Sequence, residues 1–313
     1  MQELEPSWPG DARRELAAGL MQAAAQIAPK FFYDRLGSAL FAAICQLEEY
    51  YPTRTERAVL AQCREELATV AGAGRTLIDL GAGDCVKAER LFALLKPQRY
   101  VALDISADFL EASLARLRRE HHGLVVNGYG CDFTSDWSLP DEVPRDSRLF
   151  FYPGSSIGNF SPEEARSFLA RLRANVEADG QLLIGVDLVK DPATLEAAYD
   201  DALGVTAAFN RNMLLHVNRL LGADFSIADW RHVALFEPVQ SRIEMHLEAL
   251  RPVSVSWPGG ARKFGAGERI HTENSYKYRQ EDFAELLALA GWKSVRCWTD
   301  PRRWFAVICA RAA

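Results

Sequence analysis

Thr76-Leu77-Ile78-Asp79-Leu80-Gly81-Ala82-Gly83-Asp84-Cys85-Val86-Lys87 decides how the rest of this chain is read. An apolar run suited to a buried parallel strand ends in Gly-x-Gly, and Ala88, Leu91, Phe92 and Leu95 then recur at helical spacing. Strand, tight turn and helix follow in that order. Glycines at Gly81 and Gly83 let the backbone approach a ligand that a Cβ would exclude. The carboxyl end of such a strand is where open α/β sheets bind ligands.

Working outward, Tyr100-Val101-Ala102-Leu103-Asp104 reads as a second buried strand ending in an acid, which is placed to accept hydrogen bonds from ribose hydroxyls. A third apolar stretch, Leu124-Val125-Val126, is followed by Cys131-Asp132-Phe133. Gly-x-Gly alone occurs in many doubly wound proteins. Together with Asp104, Asp132 and Phe133 it supplies what an adenosine needs: a carboxylate for the ribose, a polar group for the adenine amine and a ring to stack on. The third glycine of the dinucleotide fingerprint is missing. That favours S-adenosylmethionine, which has no pyrophosphate to cradle.

The chain has 313 residues, long for one doubly wound domain and suited to one such domain plus a second lobe. A composition 49% hydrophobic and 25% charged is that of a soluble globular protein with a substantial core. The net charge of −6 and the lack of any long basic run argue against a nucleic-acid or anionic-membrane partner. Six scattered cysteines form no Cys-x-x-Cys pair, and the first residues are acidic rather than signal-like, so reduced thiols in a cytoplasmic protein are expected. No apolar stretch approaches membrane-spanning length. Six histidines show no helix-spaced pair with an acid between, and no metal is expected.

Before the first sheet strand the pattern is helical, at 17–27, 39–47 and 54–70. Phenols cluster in the two breaks, Phe31-Phe32-Tyr33-Asp34 and Glu48-Glu49-Tyr50-Tyr51-Pro52-Thr53-Arg54-Thr55-Glu56, where Thr53 and Glu56 have the spacing of a capping box. These tyrosines are read equally well as packing residues or as functional ones. From Arg75 strands near 76–80, 99–103, 123–127, 147–152 and 180–187 alternate with helices near 86–95, 106–120 and 162–178, which means a parallel sheet. Ser161, Pro162 and Glu164 mark the start of the last helix. Phe151-Tyr152-Pro153-Gly154-Ser155-Ser156-Ile157-Gly158-Asn159-Phe160 lies at the carboxyl edge of that sheet. There Asn159 offers an amide that donates to a carboxylate, unless it serves only as a turn residue. Residues 191–274 interrupt the alternation with helices (193–203, 207–221), strand-like runs at 232–236 and 241–250, and a polar strand-like stretch at 268–278. A helix at 280–290 and strands at 294–299 and 304–310 close the chain, an ending that looks like the antiparallel hairpin of the class I methyltransferase fold.

With these segments in place, the chain resembles the histidine-specific Nα-methyltransferases of ergothioneine biosynthesis, from Phe31 to the C-terminus. Its most specific marks are Tyr50-Tyr51-Pro52-Thr53-Arg54-Thr55-Glu56, Gly154-Ser155-Ser156-Ile157-Gly158-Asn159-Phe160, Gly204-Val205-Thr206-Ala207-Ala208-Phe209-Asn210 and Thr272-Glu273-Asn274-Ser275. The Glu49 position, commonly proline in relatives, departs from the pattern. The resemblance implies an α/β, class I methyltransferase doubly wound sheet with a terminal antiparallel hairpin, plus a second, substrate-binding lobe. Residues 1–71 would contribute helices to that lobe, 191–275 would form its insertion, and 72–190 with 276–313 would form the S-adenosylmethionine-binding domain.

Carried over by position, the resemblance implies cofactor binding by Gly81, Lys87, Asp104, Asp132 and Phe133, beside Gly83 of the glycine turn. It implies Tyr50 and Asn159 at the carboxylate of L-histidine, Tyr33 as the catalytic group near the amine, and Glu273 and Ser275 at the imidazole. Phe41, Gly154, Tyr199 and Met245 would line the rest of the pocket. The expected reaction is repeated in-line displacement at a sulfonium methyl by the neutral α-amine, which needs alignment and loss of a proton rather than a metal. All of these groups are expected to converge on one amino-acid-sized cavity; how many chains assemble, a monomer included, is left open by the sequence. Three alternatives stand beside this: another amine such as a tryptophan derivative as substrate, a partner module for an iron-dependent sulfoxide synthase, and a cofactor-binding regulator without catalysis.

Overall fold

Every residue of Thr76–Leu80 is buried, as a strand covered on both faces requires. The computed structural model describes residues 2–3, 9–105, 107–132 and 137–313. In chain order the first elements are β1 (Gln2–Glu3), α1 (Pro9–Leu20), β2 (Ala25–Gln26), α2 (Arg35–Ile44), α3 (Tyr51–Gln62), α4 (Arg64–Ala71), β3 (Thr76–Leu80) and α5 (Val86–Leu95). There follow β4 (Arg99–Asp104), α6 (Ala107–Glu120), β5 (Val125–Gly130), β6 (Arg148–Tyr152), α7 (Pro162–Ala174), β7 (Gln181–Asp187), α8 (Pro192–Tyr199) and α9 (Val205–Leu221). The last are β8 (Trp230–Glu237), β9 (Arg242–Ala249), β10 (Val253–Trp257), β11 (Gly260–Phe264), β12 (Arg269–Tyr276), α10 (Gln280–Leu289), β13 (Trp292–Thr299) and β14 (Phe305–Ala312). Two units result, Met1–Glu5 with Pro52–Val189 and Lys277–Ala313, and Pro6–Tyr51 with Lys190–Tyr276.

The first unit is built on a sheet of order β1-β5-β4-β3-β6-β7-β14-β13. Strands β1 to β7 of this sheet pair in parallel, β14 runs antiparallel to β7, and β13 antiparallel to β14. Strand order reverses at β3 and β6, so the carboxyl ends of these two strands frame the switch point where such sheets bind ligands. Both strands are buried along their whole length, as is β7. Helix α7 starts with the expected capping box, Glu164 N–H donating to Ser161 Oγ at 3.3 Å and Ser161 N–H to Glu164 Oε2 at 2.8 Å.

The second unit carries a four-stranded sheet of order β2-β12-β9-β8 and a separate β10–β11 hairpin. Helix α9 supplies much of its core through Phe209, Met213, Leu214, Val217 and Leu221, which recur at three- and four-residue spacing.

Several local expectations are corrected by tertiary pairing. The first helix ends at Leu20 instead of running to Ile27, because Ala25 and Gln26 pair with Ile270 and His271 of β12. The helix expected over 54–70 breaks at Cys63 into α3 and α4. Thr53 lies inside α3 and Glu56 bonds elsewhere, so no capping box forms there. Residues 52–71 also fall in the first unit rather than with the other N-terminal helices. The reason is packing, since Val59, Cys63, Leu67 and Ala71 are buried in one cluster with Leu77, Leu183 and Val307. Among the described residues no helix is long and apolar enough to cross a membrane.

Candidate active site

In the first unit, the turn after β3 is held by backbone hydrogen bonds from Gly81 and Ala82 to the Leu103 carbonyl, at 2.9 and 3.1 Å. Asp104 ends β4 and accepts from the Gly83 N–H at 2.8 Å, which ties the ends of the two neighbouring strands together. Cys85 adopts a left-handed conformation (φ 63°) immediately before α5, so a side chain stands in a backbone geometry that usually selects glycine. Asp79, 1% exposed, accepts from the Tyr100 hydroxyl at 2.7 Å through one oxygen. Its other oxygen, Oδ1, is buried with no hydrogen-bond partner. Burial pushes the Asp79 carboxyl up to about 7, against the pull of the Tyr100 hydroxyl and the Lys87 ammonium, with Asp104 and Asp84 adding to the rise. The acids Asp84 and Asp104, near enough to raise it further, give this end of the sheet an acidic character that suits the sulfonium and ammonium charges of S-adenosylmethionine.

The loop after β6 is anchored at three points. Ile157 is fully buried, the Asp187 N–H donates to Ser155 Oγ at 2.8 Å, and the Gly154 N–H donates to Glu56 Oε1 at 2.7 Å. Asp187 is in turn paired with Lys277 at 2.9 Å, both side chains fully buried. Such a pair costs several kcal/mol of desolvation per ion, offset only by good geometry and further hydrogen bonds. Asn159 ends the short turn Ser156–Asn159 and is half-buried. Gly154 has a left-handed conformation (φ 76°) that favours glycine, and a Cβ there would stand 2.9 Å from Lys87 Nζ. Asp132 is half-buried beyond β5, while Phe133 lies outside the described residues.

In the second unit, Tyr33, Phe41, Tyr50 and Tyr199 form a chain of edge-to-face rings with centroids 5.7, 6.2 and 6.2 Å apart. Tyr33 is set by its neighbour Asp34, which caps α2 at Gly37 N–H (2.7 Å) and accepts from Asn212 Nδ2 at 2.8 Å. The chain of rings ends in a hydrogen bond of 2.7 Å between the Tyr199 hydroxyl and Ser275 Oγ. Burial, then the neighbouring Tyr199, Cys45, Glu273 and Tyr33, hold the Tyr50 phenol well above its ordinary range. It is therefore a permanent hydrogen-bond donor at neutral pH.

Glu273 reaches this group through an irregularity in β12. His271 pairs with His246 and Glu273 with Met245, leaving Thr272 as the extra residue of a bulge, its hydroxyl bonded to the Met245 carbonyl at 3.0 Å. Bulges re-aim side chains. Beyond this one Glu273 and Ser275 share a face, and Glu273 is only 8% exposed. All the pocket residues expected from this unit (Tyr33, Phe41, Tyr50, Tyr199, Met245, Glu273, Ser275) are thus brought into one neighbourhood.

Supporting residues went unrecognised in the sequence. Phe209 packs against Phe32, Tyr33 and Phe41 at 4.5, 5.8 and 5.9 Å, which gives the Gly204–Asn210 segment its role. Asn210 Nδ2 donates to the His246 carbonyl (3.0 Å) and to His232 Nδ1 (2.8 Å). His232 Nε2 faces the Tyr199 carbonyl at 2.8 Å and so carries the proton, and burial holds this imidazole below its ordinary pKa. The helical spacing of Phe209 was the available signal. For His232 there was none. One three-residue group with metal-ligand spacing occurs among the described residues, Glu89, Glu120 and His121, and the Arg116 guanidinium pairs with both carboxylates at 2.8 Å.

A parallel sheet whose order turns at β3, edged by the reversed strands β14 and β13, with its acids and glycines at the switch point, is the layout of a class I methyltransferase. Within that class the chain belongs to the histidine-specific, S-adenosylmethionine-dependent methyltransferases, whose family model matches residues 12–312. It is 40% identical to the histidine N-alpha-methyltransferase of Mycolicibacterium smegmatis over 92% of this chain and 91% of that protein. It is 31% identical to ergothioneine biosynthesis protein 1 of Neurospora crassa over 88% of this chain, which corresponds to 32% of that longer protein. The crystal structure of a S-adenosylmethionine-dependent methyltransferase from Clostridium acetobutylicum ATCC 824 aligns with a TM-score of 0.49 at 12% identity, covering 89% of this chain and 96% of that one.

Proposed function

We propose that this enzyme trimethylates the α-amine of L-histidine to Nα,Nα,Nα-trimethylhistidine (hercynine), the first step of ergothioneine biosynthesis. The observation that carries the reading is the buried Glu273 beside Ser275, Tyr199 and the donor phenol of Tyr50, in a wall otherwise built of aromatic rings. An acid at that place rewards a side chain with ring N–H groups, which a hydrocarbon side chain does not offer. Relatives named for histidine methylation and for ergothioneine biosynthesis support the same assignment.

Bound S-adenosylmethionine supplies an electrophilic methyl group on a sulfonium. In the first unit Gly81, Gly83, Lys87, Asp104, Asp132 and Phe133 are assigned to hold it, with Asp79 added for its orphaned oxygen. Glu273 and Ser275 read the imidazole, while Tyr50 and Asn159 donate to the substrate carboxylate. Phe41, Gly154, Tyr199 and Met245 line the remainder. Tyr33 accepts or relays the amine proton, directly or through water, and a phenol that is itself protonated passes a proton on to solvent in the same step, because a nitrogen must shed it before each attack. The aromatic faces favour a nitrogen that ends as a fixed cation. A cytoplasmic setting, in which scattered cysteines stay reduced, is part of the same reading.

Purified protein incubated with the methyl donor and an equimolar mixture of the twenty amino acids tests the proposal by mass spectrometry. Histidine gaining three methyl groups is expected. Methyl transfer to tryptophan alone, or to no amino acid, would overturn it.

A further inference from the structure

Glu56 stands out because the chemistry assigned above makes no use of it. Its spacing from Thr53 suggests a helix cap, yet neither carboxylate oxygen serves the helix. Oε1 accepts from the Gly154 N–H at 2.7 Å, and Oε2 pairs with Lys87 Nζ at 3.0 Å. The residue is 2% exposed. The body of the first unit is shaped to admit it, since a Cβ on Gly185 of β7 would lie 2.2 Å from Oε1.

A buried carboxylate is costly unless paired and hydrogen-bonded, and this one has two partners from distant parts of the sequence. Lys87 is in the first turn of α5. Gly154 opens the loop that carries Asn159. The ammonium of Lys87 sits close over Gly154, and its side chain keeps 35% of its surface open. An ammonium only donates, so one that is partly open offers an anion a charge-assisted hydrogen bond. Glu56 itself is covered. A flexible lysine stem loses much of its rotamer freedom when its head is held, so a fixed ammonium costs a ligand less ordering entropy than a free one.

We propose that Glu56 is a positioning residue for the amino-acid end of the methyl donor: it fixes the Lys87 ammonium over the Gly154 turn, so that the cation is already in place for the donor's carboxylate. This rests on the assignment of Lys87 to the cofactor site. A purely structural role would weaken every adenosine ligand alike. A positioning role discriminates between ligands that carry the amino acid and ligands that lack it.

The test is calorimetric binding of S-adenosylhomocysteine and of 5′-methylthioadenosine, which shares the adenosine and lacks the amino acid. Wild type is compared with Glu56→Gln, Lys87→Met and the double variant. The gentler Glu56→Asp keeps the charge and withdraws it by one methylene, which guards against a Glu56→Gln chain that fails to fold. Each Glu56 variant is expected to lose about 10-fold or more in affinity for S-adenosylhomocysteine, with affinity for methylthioadenosine within about 2-fold of wild type. The double variant should lose no more than Lys87→Met alone. Equal losses for both ligands would make Glu56 structural and overturn the inference. A selective loss in Lys87→Met that is absent from the Glu56 variants would overturn it while leaving the cofactor assignment standing. No selective loss in Lys87→Met would remove that assignment and the inference together.

Discussion

The groups assigned to ligands are built in different ways in the two units. The first offers backbone and held polar groups near the ends of parallel strands: the Gly81–Gly83 turn, Asp79, Asp104 and the Lys87–Glu56 pair. The second uses side chains on separate helices and strands, joined by ring contacts from Tyr33 through Phe41 and Tyr50 to Tyr199, and closed by Ser275 and a bulge that turns Glu273 inward. A sheet edge offers the same backbone geometry to any nucleotide-like ligand, so the first unit suits a cofactor shared by many enzymes. A wall of side chains offers shape and one buried charge, the means by which a site tells one amino acid from another.

Substitutions that separate these two modes can break the comparison. The largest effect is expected at Glu273. Replacement by alanine should lower kcat/KM for histidine by about 100-fold or more while leaving S-adenosylhomocysteine affinity within about 2-fold, read by steady-state kinetics and calorimetry. Equal losses in both would show that the units are not separable in this way.

The next effect concerns Asp79 and the stability of the ligand-free protein. Burial lifts its carboxyl from 3.8 to about 7. Between these values the folded state keeps a proton that the unfolded chain has released. Its stabilising contribution is therefore complete below about pH 4 and is lost as pH rises through 7, at up to about 1.4 kcal/mol per pH unit. Carboxylates held below their ordinary range, such as Asp179 and Glu244, pull the other way at lower pH, so the informative quantity is a difference. Urea unfolding of wild type minus Asp79→Asn should decline across this window. A flat difference would mean that Asp79 is already ionised in the folded state.

Ser275→Ala should give the smallest effect. Loss of the bond to the Tyr199 hydroxyl is worth about 1 kcal/mol, or roughly 5-fold in kcat/KM for histidine, with cofactor affinity unchanged. It sharpens the comparison by measuring what one neutral hydrogen bond contributes beside the charge of Glu273.

The same contrast governs how far each region was legible in advance. Strand 76–80 and helix 86–95 stand where the periodicity of the sequence puts them, and the capping box at Ser161 formed as its spacing indicates. These signals are local, set by side-chain alternation and by caps within a few residues. The glycine turn and Asp104 were readable for the same reason. The early end of α1 and the break at Cys63 were not, because pairing and packing across long stretches of chain overrode local preference. The β10–β11 hairpin was missed although it is local, its strands joined at Pro258-Gly259. The pocket residues of the second unit were named through resemblance. Periodicity alone could not have found Glu273, since the bulge at Thr272 interrupts the alternation that would have assigned its face.

By itself, the sequence determined a parallel α/β sheet with a reversed final hairpin and a glycine turn suited to an adenosyl ligand. Hydrophobic period and turn chemistry act over a few residues, and they are written directly in the chain. Only the tertiary structure decided that Glu56 would leave its helix cap for Lys87 and Gly154, that Asp79 would keep an unpartnered oxygen, and that four aromatic rings would meet edge to face. Those outcomes depend on desolvation and on contacts between residues up to about 150 positions apart, which exist only once the chain has folded around them.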